Sequence, residues 1–124
     1  MRRLILATVL LLVVGGCSVE TAAGAHYVLR ESAVDGPNRL SASGEETFSV
    51  ENTGEYSHTL VITDDTGQVI AATGLVESGE QTSLRVDLEP GKYVFSCRIV
   101  SQDGEGNLID HFELGMHRTV SVGS

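Results

Sequence analysis

From His26 to the end of the chain, apolar residues come in short runs that alternate with polar ones, and turn-forming residues separate the runs. No long stretch keeps the apolar spacing of about 3.6 residues that an amphipathic helix needs. The pattern predicts strands over His26–Glu31, Glu46–Asn52, His58–Thr63, Gly67–Ala72, Gln81–Leu88, Lys92–Ile99 and Arg118–Val122. Breaks fall at Asp35-Gly36-Pro37-Asn38, Asn52-Thr53-Gly54, Asp64-Asp65-Thr66-Gly67, Glu77-Ser78-Gly79 and Glu89-Pro90-Gly91, all rich in residues that favour turns. Two runs alternate cleanly. Leu84, Val86 and Leu88 share one face while Arg85 and Asp87 share the other, and Tyr93, Phe95, Cys97 and Ile99 line up in the same way. Seven or so short strands with frequent turns predict an all-β fold, a two-sheet antiparallel sandwich. One polar, Gly-rich patch, Ser101–Asn107, reads as an exposed loop.

The first residues follow different rules. Arg2 and Arg3 precede an apolar run from Leu4 to Val14, then Gly15, Gly16 and Cys17. A basic start, a short apolar core and small residues before a cleavage point describe a secretory signal peptide. The run is shorter than the roughly 20 residues of a transmembrane helix. Val14-Gly15-Gly16-Cys17 resembles the lipobox of bacterial lipoproteins, which implies a signal peptide over residues 1–16 and acylation of Cys17. Residues 17–25 then form the lipidated Cys and a small, polar tether, and residues 26–124 a single domain. The expected location is outside the cytoplasm, anchored to a bacterial membrane by lipid.

Charge and cysteine usage narrow the picture. The chain has 8 basic and 17 acidic residues, a formal charge of −9. Losing Arg2 and Arg3 with the leader takes that to −11. Such a surface repels phosphate and argues against nucleic acid as a partner. It suits either solubility or docking on a basic surface of another protein. With Cys17 acylated, Cys97 has no partner for a disulfide. A lone thiol in an oxidising compartment needs burial or a metal.

Three stretches carry the candidate chemistry: FSVENTGEYSHTLVIT (48–63), LEPGKYVFSC (88–97) and HFELGMHRTVSV (111–122). Together they resemble the cupredoxins, the family of plastocyanin, azurin, amicyanin and auracyanin. In that family an early His follows an Asn-containing strand end, a Cys closes the penultimate strand, and a second His and a Met follow. The resemblance spans residues 46–122 and implies a Greek-key sandwich with one mononuclear, type 1-like copper. His58, Cys97 and His111 would be its equatorial ligands and Met116 the weak axial one. The chemistry agrees, since two imidazoles, a thiolate and a distant thioether make a blue-copper electron-transfer site. Taken singly, each residue has an ordinary explanation, such as a buried strand-end Cys. Their order along the chain is what points to copper.

One interval departs from the family pattern. Thirteen residues separate Cys97 from His111, more than in familiar cupredoxins, and the excess coincides with the polar patch at 101–107. It reads as an insertion into the ligand loop, with Asp110 and Glu113 as alternative oxygen ligands should His111 not be held in place. His26 and His117 stay outside the set, His117 as a surface or supporting residue. The function implied is a one-electron carrier between exported or membrane redox proteins. Copper delivery or storage, and a metal-free module that binds a partner, are the alternatives. No Gly-rich phosphate loop, second His cluster or activated nucleophile points to an enzyme.

Overall fold

The computed structural model describes residues 24–124. The signal peptide, Cys17 and most of the tether expected before the domain lie outside these residues. Eleven strands follow in order: β1 (His26–Arg30), β2 (Ala33–Asp35), β3 (Arg39–Leu40), β4 (Gly44–Asn52), β5 (Val61–Asp64), β6 (Val69–Ala72), β7 (Gln81–Leu88), β8 (Gly91–Ser96), β9 (Val100–Gln102), β10 (Leu108–Asp110) and β11 (His117–Val122). No helix occurs among the described residues.

Two sheets form the sandwich. One has the order β2-β1-β4-β7, the other β3-β11-β8-β5-β6, and β9 and β10 pair as a separate hairpin. Most pairings are antiparallel, as expected, but β1 runs parallel to β4 and β3 parallel to β11. These parallel contacts arise because the chain changes sheet after β2 and again after β3, so neighbours in space are not neighbours in sequence. Ala25, assigned by sequence to the tether, is already part of the domain. Its carbonyl accepts the Ser49 amide at 3.1 Å and its side chain packs against the core.

The alternation seen in the sequence is the alternation of burial. Leu84, Val86 and Leu88 on β7 point inward, while Arg85 and Asp87 are exposed. Tyr93 and Phe95 on β8 do the same. Tyr27 and Phe48 from one sheet meet Phe95 from the other, with ring centroids 4.8–5.6 Å apart in tilted and edge-on arrangements that suit aromatic quadrupoles. This cluster pins the sheets together one alternation short of Cys97.

Strand ends differ from the sequence reading in informative ways. Residues 58–60 do not continue into β5, because His58 instead exchanges backbone hydrogen bonds with Val76. β8 stops at Ser96, although the Cys97 amide still donates to the Met116 carbonyl, 3.0 Å away, one register step beyond the Ser96–His117 pair. The segment 101–107 is not a plain loop. Ser101 and Gln102 belong to β9, paired with Ile109 and Leu108 of β10. Only the tip is open, and there Asp103 Oδ1 accepts the amides of Glu105 and Asn107 while Oδ2 accepts the Asn107 side-chain amide.

Two expectations follow from this core. Phe95→Ala removes the ring that joins the sheets and should cost about 3–5 kcal/mol in urea unfolding. Burial pushes the Tyr27 phenol up to about 12, against a smaller opposing pull from Arg118. The hydroxyl donates to the Pro37 carbonyl at 2.9 Å, so the fold holds the neutral form. Its contribution is complete below pH 10, where the unfolded chain is also protonated, and is lost as the pH climbs toward 12. Tyr27→Phe should flatten that alkaline loss of stability when unfolding is followed across this window.

Candidate metal centre

Cys97 owes its position to strand register. Inward-facing Tyr93 and Phe95 set the phase of β8, and two residues on the thiol enters the same interior, fully buried. The chain then leaves the sheet, makes the β9–β10 hairpin and returns at His111, whose amide donates to the Ile99 carbonyl at 3.0 Å. A tight turn follows. Asp110 Oδ1 accepts the Phe112 and Glu113 amides, and the Met116 amide closes back on the His111 carbonyl at 3.1 Å. Gly115 is required here, with φ of +112° and room for no side chain, since a Cβ would lie 2.6 Å from the Ser32 carbonyl oxygen. Met116, fully buried, is thus hydrogen-bonded through its peptide to both Cys97 and His111.

His58 arrives on a separate segment, between β4 and β5. Asn52, buried at the end of β4, donates through Nδ2 to the carbonyls of Tyr56 and Val76 at 2.7 and 2.8 Å. Its Oδ1 accepts the Gly54 amide at 2.8 Å. One amide side chain therefore shapes the loop that delivers His58. Together these bonds satisfy the buried Asn52 amide, which left unpaired would cost about 1–3 kcal/mol.

His58, Cys97 and His111 form a buried cluster able to hold a metal ion. The two Nδ1 atoms lie 3.1 Å apart, and Cys97 Sγ is 3.8 Å from His111 Nδ1 and 4.0 Å from His58 Nδ1. Metal bonds of about 2.0–2.3 Å to imidazole and thiolate, spread in a plane, put neighbouring donors about 3.5–3.8 Å apart. The cluster is close to that spacing. Both rings turn the same nitrogen inward and have the other occupied: His58 Nε2 sits 3.4 Å from Glu31 Oε1, and His111 Nε2 sits 3.0 Å from Ser101 Oγ. An Nε2–H that donates outward leaves the Nδ1 lone pair for a metal. Burial pushes the His58 imidazole below its usual range and favours the neutral ring a metal needs, outweighing the Glu31 hydrogen bond that acts the other way. The donor set thus fits a soft, three-coordinate metal with a thioether nearby.

The other sequence candidates fall outside this cluster. Asp110 is engaged as a turn cap and Glu113 is exposed. His117 is exposed and stacks on Phe112 at 4.6 Å, with the Arg98 guanidinium 4.2 Å from the other partner of that stack, the Phe112 ring. His26 is exposed beside Glu51. Two residues that hold the site escaped the sequence reading, Glu31 and Ser101. Ser101 carries no periodic signal, because Val100 is the one apolar residue of β9 and Ser101 opens the polar patch at 101–107. Glu31 has none. Beside His111 a cleft of about 320 Å³ opens between Tyr56, Ser101, Ile109 and Leu114.

No protein family's sequence pattern matches the chain, and no curated protein matches it in sequence. Solved structures do match. Auracyanin from Roseiflexus castenholzii superposes with a TM-score of 0.60 at 20% identity, covering 80% of this chain and 95% of that one. An azurin from Methylomonas sp. strain J gives 0.60 at 18% identity over 84% of this chain and all of its own. A purple cupredoxin from Nitrosopumilus maritimus gives 0.53 at 17% identity over 80% and 99%. Strand order, sandwich architecture and these superpositions agree: the domain has the fold of the cupredoxins.

Proposed function

We propose that the domain holds one copper ion between His58, Cys97 and His111, with Met116 as the weak axial ligand, and serves as a one-electron carrier. The observation that carries this reading is the convergence of two imidazole Nδ1 atoms and one thiol sulfur within 4.0 Å in a buried pocket. A bound copper would supply the one-electron couple. The chain's own residues do the rest. Cys97 offers the soft sulfur that suits the reduced metal, and the imidazoles suit the oxidised one. Asn52 fixes the His58 loop, Ser101 and Glu31 fix the ring orientations, and the apolar core excludes water. Held from outside in this way, the donors have little freedom to rearrange between oxidation states.

Carriage is favoured over delivery or storage by the β9–β10 hairpin. A site built for metal exchange needs an accessible ligand, whereas His111 is 4% exposed and tied to the hairpin through Ser101. In the same reading Cys17 is acylated and tethers the domain, outside the cytoplasm, to a bacterial membrane. Its acidic surface then meets a basic surface on an exported or membrane-bound redox partner. An electron carrier, not an enzyme, is the role we assign.

Cu(II) added to the full chain in detergent should give an intense visible thiolate-to-copper band and a narrow copper hyperfine splitting in electron paramagnetic resonance. Cys97→Ser should abolish the band. Met116→Leu should retain copper and shift the potential, because an axial thioether tunes the site more than it holds it. Stoichiometric but colourless binding would overturn the carrier reading in favour of delivery. Separately, Cys17→Ser should move the protein from the membrane fraction to the soluble one, and mass spectrometry of an unmodified N-terminus cut elsewhere would refute the anchor.

A further inference from the structure

The two imidazoles of the cluster are backed differently. Ser101, an uncharged hydroxyl, stands behind His111, while a carboxylate stands behind His58. We infer that Glu31 is a positioning residue for the metal centre: a fixed negative charge one imidazole away that holds His58 Nδ1 inward and favours the oxidised metal. The inference rests on the copper reading above and adds to it a residue that donates nothing to the metal itself.

Glu31 follows β1 and reaches under the loop that carries His58. Its Oε1 accepts the Glu55 amide at 2.5 Å and the Tyr56 amide at 3.1 Å, besides facing His58 Nε2 at 3.4 Å. Gly54 makes room for it. A Cβ at that position would lie 2.3 Å from Oε1, 2.8 Å from Cδ and 2.9 Å from Oε2. The loop from Asn52 to His58 therefore rests against this half-exposed carboxylate, and two amides hold it whether or not His58 is engaged. A carboxylate on the far nitrogen of a metal-ligating imidazole orients the ring and raises its basicity. Its charge also attracts the metal more strongly when the metal carries one more positive charge.

The test uses the full chain in detergent, loaded with copper, with the reduction potential and Cu(II) affinity as readouts. Glu31→Gln keeps shape and an acceptor oxygen but removes the charge. It should weaken Cu(II) relative to Cu(I) about tenfold, raising the potential by about 59 mV. Gly54→Ala keeps the charge but displaces the carboxylate. Gly54 does not sit at positive φ, so the backbone tolerates Ala and the flexible end of Glu31 must move. It should raise the potential in the same direction. Glu55→Gln removes a neighbouring exposed charge and should change the Cu(II)/Cu(I) preference less than twofold. In the metal-free chain, nitrogen NMR should show His58 protonated at Nε2, and Gly54→Ala should erode that preference. An intact visible band with an unchanged potential in both Glu31→Gln and Gly54→Ala would overturn the inference and leave the copper reading standing. So would an equal shift in Glu55→Gln. Absence of the band in the unsubstituted chain would overturn both.

Discussion

An imidazole buried in an apolar interior has two nitrogens, and only one of them can face a common centre. The other needs a partner that water cannot supply, and an unmet polar group there costs about 1–3 kcal/mol. At His58 and His111 the chain meets this demand from two unrelated segments, the turn after β1 and the β9–β10 hairpin. No buried side-chain nitrogen or oxygen among the described residues lacks a partner. Ring orientation follows from that satisfaction. Because each Nε2 is committed outward, each Nδ1 is left facing the thiol, and the donor triangle results from hydrogen bonds made behind it.

The scaffold supports this arrangement at two levels. The aromatic contacts among Tyr27, Phe48 and Phe95 lock the sheets face to face, and the register of β8 then carries the interior position on to Cys97. Above the core, loops rather than strands approach the centre, and each is fixed by a particular side chain. Asn52 fixes the segment before His58, Asp110 the turn from His111 to Met116, and Asp103 the hairpin tip. Rigid sheets alone would not place three donors from separate segments within hydrogen-bond range. Polar side chains acting on loop backbone do so.

How much of this was legible beforehand differs by element. Inward residues of β7 and β8 were plain, because half-buried strands alternate and their pattern is local. His58, Cys97 and His111 could be picked out by order along the chain, and they converge; the wide interval before His111 hid the way it is held. β9 and β10 are three residues each, too short for periodicity to register, and the turn chemistry of Asp103 to Asn107 masked the strands that flank it. β2 and β3 were missed for the same reason. The parallel pairing of β1 with β4 is a fact of topology, not of local pattern. Glu31 is the hardest case: an acidic residue after a strand resembles any solvated turn, and only the close approach of Gly54 sets it apart.

The sequence separation of the donors has a mechanical consequence. Cys97 and His111 belong to one short segment, but His58 lies 39 residues before Cys97. An ion gripped by all three is a cross-link between distant parts of the chain. A clasp of that span removes loop freedom from the unfolded ensemble, worth about 4 kcal/mol by the chain-entropy relation used for disulfides. Cys97 is the one free thiol among the described residues, so no sulfur–sulfur bridge is available to it there. In a domain this small, the proposed copper centre would then also be a staple, and losing the ion would free the loop before β5 from the segment that follows β8.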